Sequence, residues 1–139
     1  MSGTSHMKQV LIYDYHPAIS KGLSNIVEFE LNADVTLQPL YPEDDLLKVL
    51  REMNIGLILM DIRSPEKNGF GLIKKIMADD QGLKILIFSG YDQDLYAEDA
   101  IRAGAKGFIM KFESVGEILR AIQIVLGNGI YRSNGISQP

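Results

Sequence analysis

The sequence predicts an α/β fold of the doubly wound kind, a three-layer sandwich in which short parallel strands alternate with helices. Three observations predict it. Apolar runs such as Val10–Tyr13, Ile55–Met60 and Lys84–Phe88 are too short for helices and lack polar alternation, as strands buried on both faces do. The segments between them carry apolar residues at helical spacing. Four of the runs end on chemically capable side chains, Asp14, Asp61, Ser89 and Lys111. That is the edge of an open parallel sheet where ligands and chemistry collect.

In order, Val10-Leu-Ile-Tyr13 is a first strand ending at Asp14, and Pro17 suits the first position of the helix that follows. Ile19, Leu23, Ile26 and Val27 mark the expected buried stripe of that helix. Val35 and Leu37 suggest a second, less apolar strand at or near a sheet edge. Pro42-Glu-Asp-Asp45 opens a second helix with proline and acids in its first turn, as the helix dipole favours. The Ile55–Asp61 run is a central strand, and Asn68-Gly69 leads into a third helix bearing Leu72, Ile73, Ile76 and Met77. Lys84–Ser89 is a fourth strand. A helix through Leu95, Tyr96, Ala100 and Ile101 then stops at Gly104, a left-handed cap. Phe108-Ile-Met110 is the fifth strand, and Val115, Ile118, Leu119, Ile122, Val125 and Leu126 line the last helix.

Size and composition bound the function. The chain of 139 residues has room for one domain, and 46% hydrophobic against 23% charged residues is an ordinary globular balance. A net charge of −4 offers no basic footprint for nucleic acid. The absence of cysteine excludes disulfides and thiolate metal sites and fits a reducing compartment. No apolar run reaches the ~18–20 residues of a membrane span. His6 and His16 lack partners at metal-ligand spacing, which argues against zinc. Residues 1–7, small and polar, read as an expression-tag remnant. Residues 8–130 form the expected domain, and 131–139, polar and without a closing element, read as the start of a linker.

Two carboxylates, a hydroxyl and an ammonium at one sheet edge form a set suited to phosphoryl chemistry. Oxygen ligands suit Mg²⁺, which takes one or two carboxylates and keeps several waters. Asp61 is placed to be the nucleophile, with Lys111 neutralising phosphoryl charge and Ser89 donating to its oxygen. Taken singly, each residue reads more simply as a strand terminator, a turn residue or a solvated side chain. Their joint occurrence in this order is what gives them weight.

The sequence also resembles a known family, the receiver domain of bacterial two-component response regulators. Asp61-Ile-Arg-Ser-Pro65-Glu-Lys-Asn68-Gly69 is similar to the phosphoacceptor loop, Phe88-Ser89-Gly90 to the switch hydroxyl, and Gly107-Phe-Ile-Met-Lys111 to the aromatic-x-x-Lys segment. The resemblance implies a flavodoxin-like (βα)5 fold with strand order 2-1-3-4-5. It implies Asp61 as phosphoacceptor, Asp14, Asp61 and the backbone carbonyl of Arg63 as Mg²⁺ ligands, Ser89 and Lys111 as phosphate-binding residues, and Phe108 as the rotating aromatic. It further implies a cytoplasmic bacterial protein, a sensor histidine kinase as partner, and no enzyme activity beyond self-phosphorylation and autodephosphorylation at Asp61. Tyr13-Asp-Tyr-His-Pro17 and Val125-Leu-Gly-Asn-Gly-Ile-Tyr131 resemble the two ends of LuxR/NarL-type receivers. That subfamily implies homodimers through helical faces and DNA contact only through a C-terminal helix-turn-helix domain that these residues do not contain.

Tyr15, Phe112 and Ser64 depart from the family pattern, and only Tyr15 bears on the metal site. Tyr15 stands where a second acid normally follows Asp14, which lowers the Coulomb attraction for Mg²⁺ by up to about 1–4 kcal/mol. Tyr15 either removes a direct metal ligand or lies over the pocket mouth while Asp14 and Asp61 hold the ion through water. Two functions follow: a switch phosphorylated on Asp61 that changes its association state, or a phosphorylation-independent dimerisation module; under either, residues left off the core stripe of the last helix, such as Ile124, supply the interface.

Overall fold

Successive residues of each central strand are buried on opposite sides of one sheet, which is why the runs show no polar alternation. The computed structural model describes residues 9–14, 17–38, 43–62, 70–80, 82–90 and 93–132. The strands are β1 (Gln9–Tyr13), β2 (Asp34–Gln38), β3 (Ile55–Met60), β4 (Lys84–Ser89) and β5 (Gly107–Met110). They are all parallel, in the order β2-β1-β3-β4-β5. Helices α1 (Pro17–Leu31), α2 (Glu43–Glu52), α3 (Phe70–Asp79), α4 (Gln93–Ala103) and α5 (Val115–Leu126) alternate with them. This is the expected doubly wound, flavodoxin-like arrangement, with β2 at the edge.

The two faces have separate cores. Val10, Ile12, Leu57, Leu59, Leu86, Phe88 and Ile109 pack under Leu23 and Val27 of α1 and Ile118, Ala121, Ile122 and Val125 of α5. Leu11, Tyr13, Ile58, Met60, Ile85, Ile87 and Phe108 pack under Leu46 of α2, Leu72, Ile73 and Ile76 of α3, and Ala100 of α4. Helix α4 ends as expected at Gly104, whose φ is +128°. The N–H of Ala105 reaches back to the Ala100 carbonyl at 3.0 Å, and a Cβ on Gly104 would lie 2.6 Å from Met77 Cγ. Only glycine fits there.

The inward stripes differ from the expected ones in three places. Ile19, Leu95 and Val115 are exposed. On α1 the buried positions are Ser20, Leu23, Ser24 and Val27, which share one helical face and leave Ile19 outside the stripe. A helix may bury a serine when its hydroxyl has a partner, and Ser20 has one. Ile124, expected to be an interface residue, is half-buried against the α1/α5 core, and its carbonyl accepts the Gly129 N–H at 2.8 Å.

The packed unit also runs past residue 130. After α5 the chain turns through Asn128 (φ +72°) and lays Tyr131 against the free side of β5. The Tyr131 N–H donates to the Lys106 carbonyl at 2.8 Å, and the residue forms a parallel bridge with Gly107. Its ring is buried in the α1/α5 core, its hydroxyl donates to Glu117, and the Arg120 guanidinium lies 5.6 Å from the ring centre. Arg132 makes a forked pair with Glu98 of α4 at 2.9 and 3.2 Å. The stretch read as the opening of a linker therefore begins with two docked residues. A buried aromatic of this size stabilises through packing far more than through its single hydroxyl contact. Tyr131→Ala should therefore cost about 3 kcal/mol and Tyr131→Phe about 1 kcal/mol, read from chemical denaturation midpoints.

Candidate functional site

Asp14 and Asp61 each follow a central strand by one residue. They continue the alternation of the side chains that face α1 and α5: Val10, Ile12, then Asp14, and Leu57, Leu59, then Asp61. The Asp61 N–H donates to the Tyr13 carbonyl at 2.9 Å, which locks the two strand ends in step. Lys111 follows β5, and its own N–H donates to the Ser89 carbonyl at 2.8 Å. The side chain then crosses the sheet edge. Lys111 Nζ donates to Asp14 Oδ1 at 2.8 Å and to Asp61 Oδ2 at 2.9 Å. The Phe88 ring centre lies 5.7 Å from the same nitrogen, within cation–π range.

The cluster is nearly dry. The side chains of Asp14, Asp61 and Lys111 are 1%, 3% and 11% exposed. Burial, reinforced by the neighbouring Asp14, pushes the Asp61 carboxyl up to about 6 against the pull of Lys111. Burial also works to raise Asp14, but hydrogen bonds from Asp61, Lys111 and Ser20 outweigh it and hold that carboxyl below its ordinary value. Lys111 is desolvated too, yet the two carboxylates leave its ammonium harder to deprotonate than usual. The two acids thus share one proton below about pH 6, with Asp14 the ionised partner.

Of the residues expected at the site, Asp14, Asp61 and Lys111 meet directly. Ser89 is fully buried at the end of the adjacent strand, and Phe108 is buried in the core on the α2/α3/α4 side. Tyr15, Arg63 and the loop from Ser64 to Gly69 lie outside the described residues. Sequence reasoning missed Ser20, whose hydroxyl donates to Asp14 Oδ2 at 3.2 Å, and the ring of Phe88 beside Lys111. A cavity of about 410 Å³ lies between the ends of α2 and α3, lined by Leu47, Leu50, Met53 and Leu83. Asn54, which also lines it, and Leu83 directly precede β3 and β4, so it opens at the opposite end of the sheet from the carboxylates.

Residues 10–123 match the model of the response regulator receiver domain. The chain belongs to that family. The receiver is 37% identical over 125 residues to the transcriptional regulatory protein ComA of Bacillus subtilis, covering 89% of this chain and 58% of that protein. It is 32% identical over 120 residues to the fimbriae Z protein of Salmonella typhimurium, covering 84% of the chain and 55% of that protein. The chain thus spans little more than half the length of these curated relatives. The fold agrees with that of a LuxR-family two-component response regulator from Aurantimonas, with a TM-score of 0.83 at 24% identity, covering 96% and 94% of the two chains. It also agrees with a receiver domain protein from Methanospirillum hungatei, with a TM-score of 0.74 at 28% identity, covering 88% and 96%. Among the described residues no helix is long and apolar enough to cross a membrane.

Receiver domains typically bind Mg²⁺ at an acidic pocket. The donors present meet the minimum for that ion. Asp14 and Asp61 supply two carboxylates converging on one point, and Mg²⁺ accepts one or two with water or phosphate completing the shell. Among the described residues no group of three or more histidines, cysteines and acids gathers.

The cluster makes stability depend on pH. Lys111→Met leaves two buried carboxylates facing each other and should cost on the order of 3 kcal/mol at pH 8, and less near pH 4, where Asp61 is protonated and only the Asp14 charge loses its partner. Urea melts across that range measure it. Asp61, with its raised value, contributes the opposite sign. The native state binds its proton more tightly than the unfolded chain, so stability falls as pH rises from about 3.8 to 6, and the penalty is complete above that. Asp61→Asn in Mg²⁺-free buffer should therefore raise the melting temperature by roughly 2–5 °C at pH 8 and leave it unchanged at pH 4.

Proposed function

We propose that this receiver accepts a phosphoryl group on Asp61 from a sensor histidine kinase and changes its association state as a result, within a regulator of transcription. The observation that carries the reading is the pairing of one lysine with two buried carboxylates at the carboxyl edge of the sheet. In the transfer, an Asp61 oxygen attacks phosphorus while the bond from phosphorus to the donor imidazole breaks, and the imidazole leaves with that electron pair. Lys111, already centred between the carboxylates, turns its ammonium to the arriving phosphoryl oxygens and offsets their charge. Ser89, on the neighbouring strand end, supplies the hydroxyl for another phosphoryl oxygen. Mg²⁺, held by Asp14, Asp61 and the Arg63 carbonyl, would supply further neutralisation of phosphoryl charge. Asp14 keeps its negative charge and so remains available to a cation when Asp61 is consumed.

Phosphorylation replaces one carboxylate by a group of ~1.5–2 negative charges and draws Lys111 toward it. The Lys111 backbone is tied to Ser89, and β5 carries Phe108 three residues before Lys111, so the pull is transmitted to the α4–β5–α5 face. Rotation of Phe108 and a change in self-association through the helical faces are the proposed readout. The change is a shift between two existing states, driven by the contacts the phosphoryl group makes in one of them. Binding to promoter DNA is proposed for a portion of the protein beyond this domain, in keeping with the name of its relative ComA.

The intact trio favours this reading over a phosphorylation-independent module. Incubation with Mg²⁺ and acetyl phosphate should add one phosphoryl mass to the wild type and none to Asp61→Asn. Intact-protein mass spectrometry reads the result, and a wild type left unmodified at millimolar Mg²⁺ would overturn the reading.

A further inference from the structure

Asp14 is gripped on both oxygens. Lys111 Nζ donates to Oδ1 at 2.8 Å, and the Ser20 hydroxyl donates to Oδ2 at 3.2 Å. The two donors come from opposite directions, one from the end of β5 and one from the first turns of α1. We propose that Ser20 is a positioning residue, which fixes the rotation of the Asp14 carboxylate so that one chosen oxygen faces the phosphoryl pocket and its divalent cation. The inference rests on the reading of Asp61 as a phosphoacceptor that works with Mg²⁺.

The need for such a residue follows from the aspartate itself. Its terminal torsion is broad and two-fold, so the side chain does not select its own plane. A neighbouring donor must do so. Ser20 suits the task because it is 5% exposed, stands on a fifteen-residue helix, and lies on the same inward face as Leu23 and Val27, which are held in the core. Water does not compete with its hydroxyl there. The demand is greater in this chain than in one with paired acids. Asp14 is followed by Tyr15, so β1 brings a single carboxylate to the pocket where paired acids would bring two.

The test compares the full 139-residue chain with Ser20→Ala and Ser20→Thr. Each is titrated with MgCl₂ at pH 7.5 and followed by amide chemical shifts, with thermal melts run without the metal. Ser20→Ala should bind Mg²⁺ roughly five- to tenfold more weakly, the effect of losing one charge-assisted hydrogen bond. Ser20→Thr, which keeps the hydroxyl, should stay within about twofold of the wild type. The metal-free Ser20→Ala chain should melt cooperatively, a few degrees below the other two. Unchanged affinity in Ser20→Ala overturns the inference, as does equal weakening in Ser20→Thr, or a metal-free Ser20→Ala chain that has lost its cooperative melt. A wild type that binds no Mg²⁺ and takes no phosphoryl group overturns the phosphoacceptor reading itself. A wild type that does both while Ser20→Ala matches it overturns the role of Ser20 alone.

Discussion

Lys111 holds together two carboxylates that water barely reaches, and both the fold and the site depend on that contact. Removing a carboxylate from water costs several kcal/mol even after the protein relaxes, and two side by side add mutual repulsion. The ammonium between them offsets both costs at once. Its partners are 97 and 50 residues away in sequence. They come within 3 Å only because β1 and β3 are neighbours in the centre of the sheet while β5 lies at the edge, close enough for a lysine to reach inward. The strand order is therefore a condition of the chemistry. The same buried charges make the sheet edge responsive, because a group that changes the charge at Asp61 must move the lysine.

The surroundings tune the trio asymmetrically. Asp14 gains a hydroxyl from α1 that is directed at its outer oxygen, whereas Asp61 is raised by burial and by its acidic neighbour. Two like residues in different environments take different roles, a common way for one pocket to hold both a charge and a proton. Phe88 adds an apolar face beside the ammonium, so that its charge is directed toward the carboxylates.

Much of this was legible in the sequence. Near-continuous apolar runs are the signature of a parallel sheet with both faces covered, and residues that end such runs share one edge. Hence Asp14, Asp61, Ser89 and Lys111 could be grouped before any coordinates. The expected strand order matches the observed one. What was missed has physical causes. Ser20 interrupts an apolar stripe, and periodicity favours Ile19 beside it. The available signal was two serines four apart that share a face with Leu23 and Val27. Leu95 and Val115 sit in the first turns of their helices, where the chain is still approaching the sheet, and spacing alone does not tell when a helix makes contact. Tyr131 follows Gly-Asn-Gly and precedes polar residues, so local composition marks it as linker although a tertiary slot holds it.

The docking of Tyr131 also changes where this domain can be cut. The family match stops at residue 123 and α5 at Leu126, and either looks like a natural place to divide the chain. Division there would remove the aromatic plug from the α1/α5 core and the partner from the outer side of β5, leaving an unguarded sheet margin. Exposed strand margins recruit other strands, and aggregation follows. The short segment after the last helix thus acts as a selvedge, finishing the border of the sheet so that it does not fray into its neighbours.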